Sequence, residues 1–149
     1  MKLRASLAAI GAAVVLGSTG ALALPAVAAS AHSGTQTLEF ISVTKKSVPL
    51  TKTSGVQQDT DVNAAGKTVG FDMLYFAATS ATVGTLNATF DTAGGFLYGT
   101  FNFNVKTGAT TNGKVTGGTG AFARATGTIK LKNLNAAGTR TAVTITYRG

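Results

Sequence analysis

Two acidic residues are the strongest candidates for chemistry in this 149-residue sequence. Glu39 and Asp72 each stand between two large apolar residues, so each carboxylate interrupts an apolar run. A carboxylate that faces an apolar lumen loses its hydration, which raises its pKa and lets it act as an acid, a base or an anchor for a ligand hydroxyl group. We therefore predict Glu39 and Asp72 as catalytic residues, with the alternative that each points outward or pairs with a nearby lysine or arginine.

Other catalytic and metal-binding chemistry finds little support in the composition. The sequence has no cysteine and a single histidine, His32. A Ser-His-Asp triad and a zinc or iron site both depend on these residue types, so we predict no metal and no cofactor. The remaining carboxylates are expected in turns or in a long loop, where they bind water and cap backbone amides: Asp59, Asp61 and Asp91.

Aromatic residues could line a cavity close to these carboxylates. Tyr75 and Tyr98 could donate phenol hydrogen bonds to a ligand, and Phe101 and Phe103 could form an apolar wall. We predict these four as ligand-binding residues, with the alternative that they belong to the plain core, where aromatic residues at strand spacing are more often found.

Alternating hydrophobicity predicts the elements that must position these side chains. Leu86, Ala88 and Phe90 alternate with polar residues, and the segments around Phe101 and Ile145 repeat the pattern. A period of two is typical of half-buried β-strands, and the short Gly-rich turns between the segments make neighbouring strands antiparallel. We predict an all-β domain of seven or eight strands that closes into an antiparallel barrel, because closure protects the sheet edges of a chain without disulfides.

Two segments depart from this simple pattern. Residues 68–79 carry apolar side chains on both faces, so we expect the barrel interior to pack one face and a neighbouring subunit or a covering loop to pack the other. A homo-oligomer, dimer or trimer, follows as a candidate assembly. Residues 46–66 carry few apolar side chains and are predicted to form a long loop.

The N-terminal segment has the features of a secretory signal peptide. Two positive charges precede an apolar run, and small residues follow Pro25. We predict a signal peptide over residues 1–31, cleaved after Ala28 or Ala31, and a single domain over residues 32–149. A permanent membrane anchor is the weaker alternative, because glycine and serine dilute the apolar run. The protein is thus expected to be secreted and extracellular, and its composition suits a bacterial source.

The basic residues give the chain a formal net charge of +8, but they are scattered along it. A nucleic-acid-binding surface would be denser in charge and interleaved with stacking aromatic residues, so nucleic acid is not expected as a partner. Loose association with anionic cell-wall polymer is the commoner consequence of such a surface.

A glycine-rich stretch invites two interpretations. Residues 108–114 match the start of a phosphate-binding loop, but Val115 stands where the magnesium-binding hydroxyl group belongs. A tight turn closed by an apolar plug explains more of the stretch. The predicted structural turn motif consists of Gly117, Gly118, Gly120, Phe122 and Gly127.

Residues 115–131 closely resemble the G-G-[TS]-G-x-F-x-x-x-x-G signature of the allene oxide cyclase and dirigent barrels. The resemblance extends more weakly through residues 90–103 and 37–43, and altogether it covers most of residues 36–149. It implies an eight-stranded antiparallel barrel, often a homotrimer, with a ligand in the barrel mouth. It also implies that Glu39 falls near the functional glutamate of the cyclases' first strand.

Family members cyclise an unsaturated fatty-acid epoxide or steer the coupling of phenoxy radicals. By this resemblance, the protein is expected to bind a small apolar or aromatic molecule and to isomerise, cyclise or orient it without a cofactor. The alternative is a non-catalytic extracellular binding or cell-surface module on the same barrel. A third hypothesis is a structural protein of the extracellular matrix, and it rests only on the high content of threonine and glycine.

Overall fold

The computed structural model describes residues 34–107 and 112–149, so the predicted signal peptide lies outside the described residues. Within that part of the chain, no helix is long and apolar enough to cross a membrane. Eight strands and one short 3-10 helix follow one another: β1 (Gln36–Pro49), β2 (Ser54–Val62), β3 (Thr68–Ala78), β4 (Val83–Thr92), β5 (Gly95–Asn104), β6 (Gly113–Gly118), the 3-10 helix Gly120–Phe122, β7 (Thr126–Asn133) and β8 (Arg140–Arg148).

Each strand pairs with the next, and β8 pairs with β1 to close the sheet. All eight pairings are antiparallel. The first part of β1 lies against β8, from Gln36 opposite Tyr147 to Val43 opposite Arg140, whereas its second part lies only against β2. The predicted all-β, closed, eight-stranded antiparallel barrel is therefore confirmed.

The apolar core lies inside the barrel, on the strand faces that the alternation predicted. Phe90, Leu97, Ile129 and Ile145 are each no more than 1% exposed. Burial of side chains of this kind contributes roughly 1.5–3 kcal/mol each. The ring of Phe40 meets that of Phe90 edge-on, with 5.7 Å between the ring centroids, an arrangement that aromatic pairs favour.

The prediction of a long loop over residues 46–66 is wrong. Strand β1 continues to Pro49, and after a short turn β2 begins at Ser54, so most of this segment is a hairpin within the barrel wall. The inward positions of β2 are Gly55, Gln57, Asp59 and Asp61, and none of them is apolar. A method that looks for apolar residues at every second position cannot detect such a strand.

The glycine-rich stretch closes one end of the barrel. Gly117 and Gly120 have φ angles of 132° and 57°, which glycine adopts without strain. The 3-10 helix that follows places the ring of Phe122 in the core, where it meets Tyr147 at a centroid distance of 5.2 Å. At Gly118 and Gly127 a Cβ atom would collide with neighbouring backbone. Residues 108–111, which open the phosphate-loop-like stretch, lie outside the described residues.

The outer face of β3 is apolar and exposed. Its outward side chains are Val69, Phe71, Met73 and Tyr75, which are between 42% and 60% exposed. The inward positions of the same strand include Asp72 and Leu74. The structure thus separates the two apolar faces that the sequence of residues 68–79 suggested, and only the inner face is packed within the described part of the chain.

Candidate functional site

The barrel encloses a cavity of about 350 Å³. Thr107, Asn133 and residues 136–138 line it where the chain leaves β5 and passes from β7 to β8, so the cavity reaches the barrel end opposite Phe122. Pockets that bind small molecules typically measure about 300–1,000 Å³. The cavity is therefore large enough for a small ligand.

One wall of the cavity is apolar. We call it the apolar wall, and its residues come mainly from β3, β4, β5, β7 and β8: Leu74, Phe76, Leu86, Phe90, Phe101, Leu131 and Val143. The pairing of β4 with β5 sets Leu86 directly opposite Phe101, so the two side chains meet on the inner face. This wall offers a ligand apolar contact and aromatic ring faces.

The other wall is acidic and comes from β1, β2 and β3. It is formed by Ser42, Gln57, Asp59 and Asp72, and we call it the acidic wall. Asp59 and Asp72 are direct partners in the pairing of β2 with β3, so their carboxylates approach each other across the strands. Both side chains are only 3% exposed.

A single hydroxyl group joins the two carboxylates. Ser42 Oγ lies 2.8 Å from Asp59 Oδ2 and 2.7 Å from Asp72 Oδ2, and it can donate its one proton to either. Gln57 Nε2 donates to Asp59 Oδ2 at 2.9 Å and to Thr44 Oγ1 at 3.1 Å. These contacts hold the acidic wall in a defined geometry.

A third carboxylate lies beside the acidic wall, two residues further along the inner face of β2. Asp61 is 1% exposed, and the strand register sets it between Ser42 on β1 and Gly70 on β3. Its side chain is hydrogen-bonded to Asp72. Three aspartates are therefore buried together in one quarter of the barrel.

Burial and mutual repulsion change the acidity of this group. Burial, the charges of Asp72 and Asp59 and the hydrogen bond to Asp72 raise the pKa of Asp61 to about 9. Burial also raises the pKa of Asp72, to about 6, although the hydrogen bond from Ser42 lowers it. Burial thus favours the protonated form of both groups, and the hydrogen bond between them raises the pKa of Asp61 and lowers that of Asp72.

The acidic wall has more acceptors than donors. The buried Oδ1 atoms of Asp59, Asp61 and Asp72 have no hydrogen-bond partner among the described residues. The described residues that line the cavity include no lysine, arginine or histidine. Buried polar atoms are satisfied in the great majority of cases, so three unsatisfied carboxylate oxygens in one cluster need an explanation.

The described residues contain no group of three or more His, Cys, Asp or Glu side chains arranged to hold a metal ion.

The structure separates the two carboxylates that the sequence singled out. Asp72 faces the lumen and belongs to the acidic wall, as expected for a residue that could act on a ligand. Glu39 is exposed on the outer side of β1, because the alternation of that strand turns Phe40 and Ser42 inward. The expectation that Glu39 faces the lumen is therefore wrong, and the residue cannot reach a ligand inside the barrel.

Of the four aromatic residues predicted to bind a ligand, only one lines the cavity. Phe101 lines the cavity. Phe103 lies on the same face of β5 but packs over Gly84, outside the cavity lining. Tyr75 and Tyr98 are 42% and 37% exposed on the outer surface, so the expectation that they contact a ligand in the barrel is wrong.

Sequence reasoning missed three residues of the acidic wall, Ser42, Gln57 and Asp59, and it also missed Asp61 beside the wall. Asp59 and Asp61 were expected to be solvated, and the structure buries both. The signal that could have found them is the two-residue spacing of Gln57, Asp59 and Asp61, opposite Val56 and Val62 on the other face. In most half-buried strands the apolar residues face inward, whereas here the polar residues do. The pattern therefore indicates a strand only when the neighbouring strands are known.

The fold and the cavity define a closed eight-stranded antiparallel β-barrel with a lumen of ligand size. Among solved structures, this barrel is similar to one named pyocyanin demethylase, with a TM-score of 0.63 and 17% sequence identity. The match covers 75% of this chain and 99% of that one. At this identity the likeness shows the fold alone. No protein-family model matches the chain, and no curated protein matches its sequence significantly.

Proposed function

We propose that this protein binds a small, largely apolar or aromatic molecule in the lumen of its barrel. The observation that carries the proposal is the cavity of about 350 Å³, which has an apolar wall on one side and the buried Asp59–Asp72 pair on the other. Small-molecule sites commonly combine a mainly apolar lining with a few polar groups that fix orientation.

A chemical role is consistent with the same residues. Asp61 and Asp72 are two carboxyl groups whose pKa values are pushed apart, to about 9 and about 6. Such a pair offers a proton donor and a proton acceptor at the same pH. Asp72 touches the cavity and would exchange a proton with a ligand, while Asp61 would hold the second proton beside it. Isomerisation or cyclisation of the ligand without a cofactor would need only such groups.

Two further lines support a barrel that handles ligands. The glycine-rich stretch resembles the signature of the allene oxide cyclase and dirigent barrels, whose ligands lie in the barrel mouth. The solved structure with the similar fold is named for a reaction on pyocyanin, a small aromatic molecule. The non-catalytic binding module, the alternative from the sequence, would keep the same cavity and lack the proton transfer.

Binding can be tested with acridone, a neutral, fluorescent, three-ring molecule. The cavity should take up one acridone per chain, with a change in its fluorescence. Leu74→Trp would fill the cavity from β3, since Leu74 lines it, and should abolish uptake. Tyr75→Trp is the matched control, because the neighbouring side chain lies on the outer surface and uptake should persist.

Circular dichroism should show that both variants keep the β-sheet signal. Uptake that survives in Leu74→Trp, or is lost equally in both folded variants, would refute binding in the lumen.

We also propose that the protein is secreted. The support is the sequence of residues 1–31, with its positive start, apolar run and small residues. N-terminal sequencing of the chain recovered from culture medium should begin at Ala29 or at His32. A chain that is found only inside cells and begins at Met1 would contradict secretion.

A further inference from the structure

We propose that the ligand of this cavity is a cation that donates hydrogen bonds, specifically an aromatic molecule with a protonated nitrogen. This inference rests on the proposed function, since it names the chemical class that the lumen would bind. The inference comes from the negative charge of the acidic wall and from its shortage of hydrogen-bond donors. The proposal that the lumen binds an apolar molecule depends on neither.

The charge of the acidic wall has no basic counterpart among the described residues that line the cavity. Asp59 and Asp72 face each other on neighbouring strands. A buried carboxylate without a partner is costly, because the apolar surroundings cannot replace its hydration. A positive charge on the ligand would supply the missing partner in a region of low dielectric constant, where attraction is strong.

The hydrogen-bond inventory indicates donors on that ligand. Ser42 has one hydroxyl proton for two carboxylates. The amide nitrogen of Gln57 already donates to Asp59 Oδ2 and to Thr44 Oγ1. The Oδ1 atoms of Asp59 and Asp72 remain without a donor in the described part of the chain. A ligand that brings N–H groups would satisfy them, and charge-assisted hydrogen bonds of this kind are about twice as strong as neutral ones.

The apolar wall favours an aromatic ring system in the same ligand. Phe90 and Phe101 line the cavity together with aliphatic side chains. In the pairing of β3 with β4, Phe90 is the cross-strand neighbour of Asp72, so an aromatic ring and a carboxylate lie side by side on the inner face. A flat ring could lie against the phenylalanine rings, which attract positive charge through their π faces, while its nitrogen meets the carboxylates.

Binding of a cation should also change the protonation state of Asp72, which gives a second way to detect it. A cation beside Asp72 favours its ionised form, so it lowers the pKa of that carboxyl group from about 6. The groups packed around it are Ser42 on β1, Asp59 and Asp61 on β2 and Phe90 on β4, and none of them is basic. Binding of the cation near pH 6 should therefore release protons into the buffer.

The test uses four fluorescent three-ring probes on the same protein, the predicted mature chain of residues 32–149. 9-Aminoacridinium has a positive charge and N–H donors, and N-methylacridinium has the charge without donors. Acridone is neutral with one N–H group, and acridine-9-carboxylate is an anion. We expect 9-aminoacridinium to bind at least about tenfold more tightly than acridone, N-methylacridinium to lie between them and the carboxylate to bind most weakly.

Two substitutions test whether the acidic wall causes the preference for the cationic probe. Asp72→Asn removes one negative charge from the cavity, and it should reduce the advantage of 9-aminoacridinium over acridone several-fold. Asp91→Asn is the matched control, because Asp91 is exposed on the outer side of β4, and it should leave the advantage unchanged. Calorimetry near pH 6 in two buffers of different ionisation enthalpy should report proton release with 9-aminoacridinium and none with acridone.

The outcomes separate this inference from the proposed function. If acridone binds as tightly as 9-aminoacridinium, or the carboxylate binds more tightly than either, the inference is overturned and binding in the lumen stands. If none of the four probes binds to the folded protein, the proposed function itself is contradicted. Because the wild-type protein decides between these results, the test survives even if Asp72→Asn fails to fold.

Discussion

The two walls of the lumen follow opposite physical rules. The apolar wall gathers Phe90, Leu86 and Phe101, together with residues of β7 and β8, and such burial stabilises the barrel. The acidic wall places Asp59 and Asp72 at the same depth with unsatisfied oxygens, which costs stability. Natural sequences break local rules of this kind mainly where function requires it. The comparison therefore assigns stability to one wall and ligand chemistry to the other.

The largest expected effect lies in the apolar wall. Phe90→Ala should lower the free energy of unfolding by about 3–5 kcal/mol, because the side chain is 1% exposed and its loss leaves a cavity. Denaturant unfolding followed by circular dichroism would measure it. Phe96→Ala on the outer side of β5 is the control, with a loss of about 1 kcal/mol or less, since Phe96 is exposed. Equal losses in the two variants would contradict the assignment of stability to the inner wall.

The acidic wall should make stability depend on pH. The folded pKa values of Asp61 and Asp72 are raised, so the native state holds protons that the unfolded chain releases. This stabilising contribution is complete below about pH 4 and is lost as the pH rises through about 6 and then about 9.

Between pH 5 and pH 8, the free energy of unfolding should fall by about 4–5 kcal/mol, because Asp61 loses about 1.4 kcal/mol per pH unit over the whole range and Asp72 does so only up to about pH 6. Denaturant unfolding at several pH values would measure the slope. Asp61→Asn should flatten most of it, and Asp91→Asn should not. A wild-type stability that rises over this range would show that the carboxylates are not buried as described.

A smaller effect is expected from the hydroxyl group between the two carboxylates. Ser42→Ala removes the donor to Asp59 and Asp72, so it should cost about 1–3 kcal/mol. It should also raise the pKa of Asp72 further, because the hydrogen bond from Ser42 lowers that pKa. Ser47→Ala at an exposed position of β1 is the control and should change neither quantity. An unchanged pKa of Asp72 in a folded Ser42→Ala variant would argue against this contact.

The smallest effect on monomer stability is expected on the outer face of β3. Met73→Ser should change the free energy of unfolding by about 0.5 kcal/mol or less, because Met73 is 60% exposed. An exposed apolar stripe of this kind is typical of interaction surfaces, so the same change should reduce the self-association that we predict for the protein. Sedimentation velocity of both proteins would measure it. A wild-type chain that is monomeric at high concentration would contradict the prediction of a homo-oligomer.

The barrel could be predicted because most of its strands carry the expected pattern. Leu86, Ala88 and Phe90 of β4 are apolar at every second position, and β5, β7 and β8 behave likewise. Period-two alternation and short turns then leave few options besides an antiparallel sheet. Closure followed from the lack of disulfides and the need to protect edges.

The acidic wall could not be predicted in the same way. On β2 the inward side chains are polar, so Asp59 and Asp61 resembled the residues of a loop. On β1 both faces carry apolar residues, with Phe40 inside and Ile41 outside, so the direction of Glu39 was ambiguous. Only the register of β2 with β3 brings Asp59 opposite Asp72, and register depends on contacts between distant segments.

The most direct test of the account is a pH titration of the aspartate carboxyl carbons by ¹³C NMR, with and without 9-aminoacridinium. In the free protein the carboxyl group of Asp61 should titrate near pH 9 and that of Asp72 near pH 6. The probe should shift the midpoint of Asp72 to lower pH and leave exposed Asp91 unaffected. Midpoints near 4 for both Asp61 and Asp72, with no response to the probe, would contradict a buried acidic wall that meets the ligand.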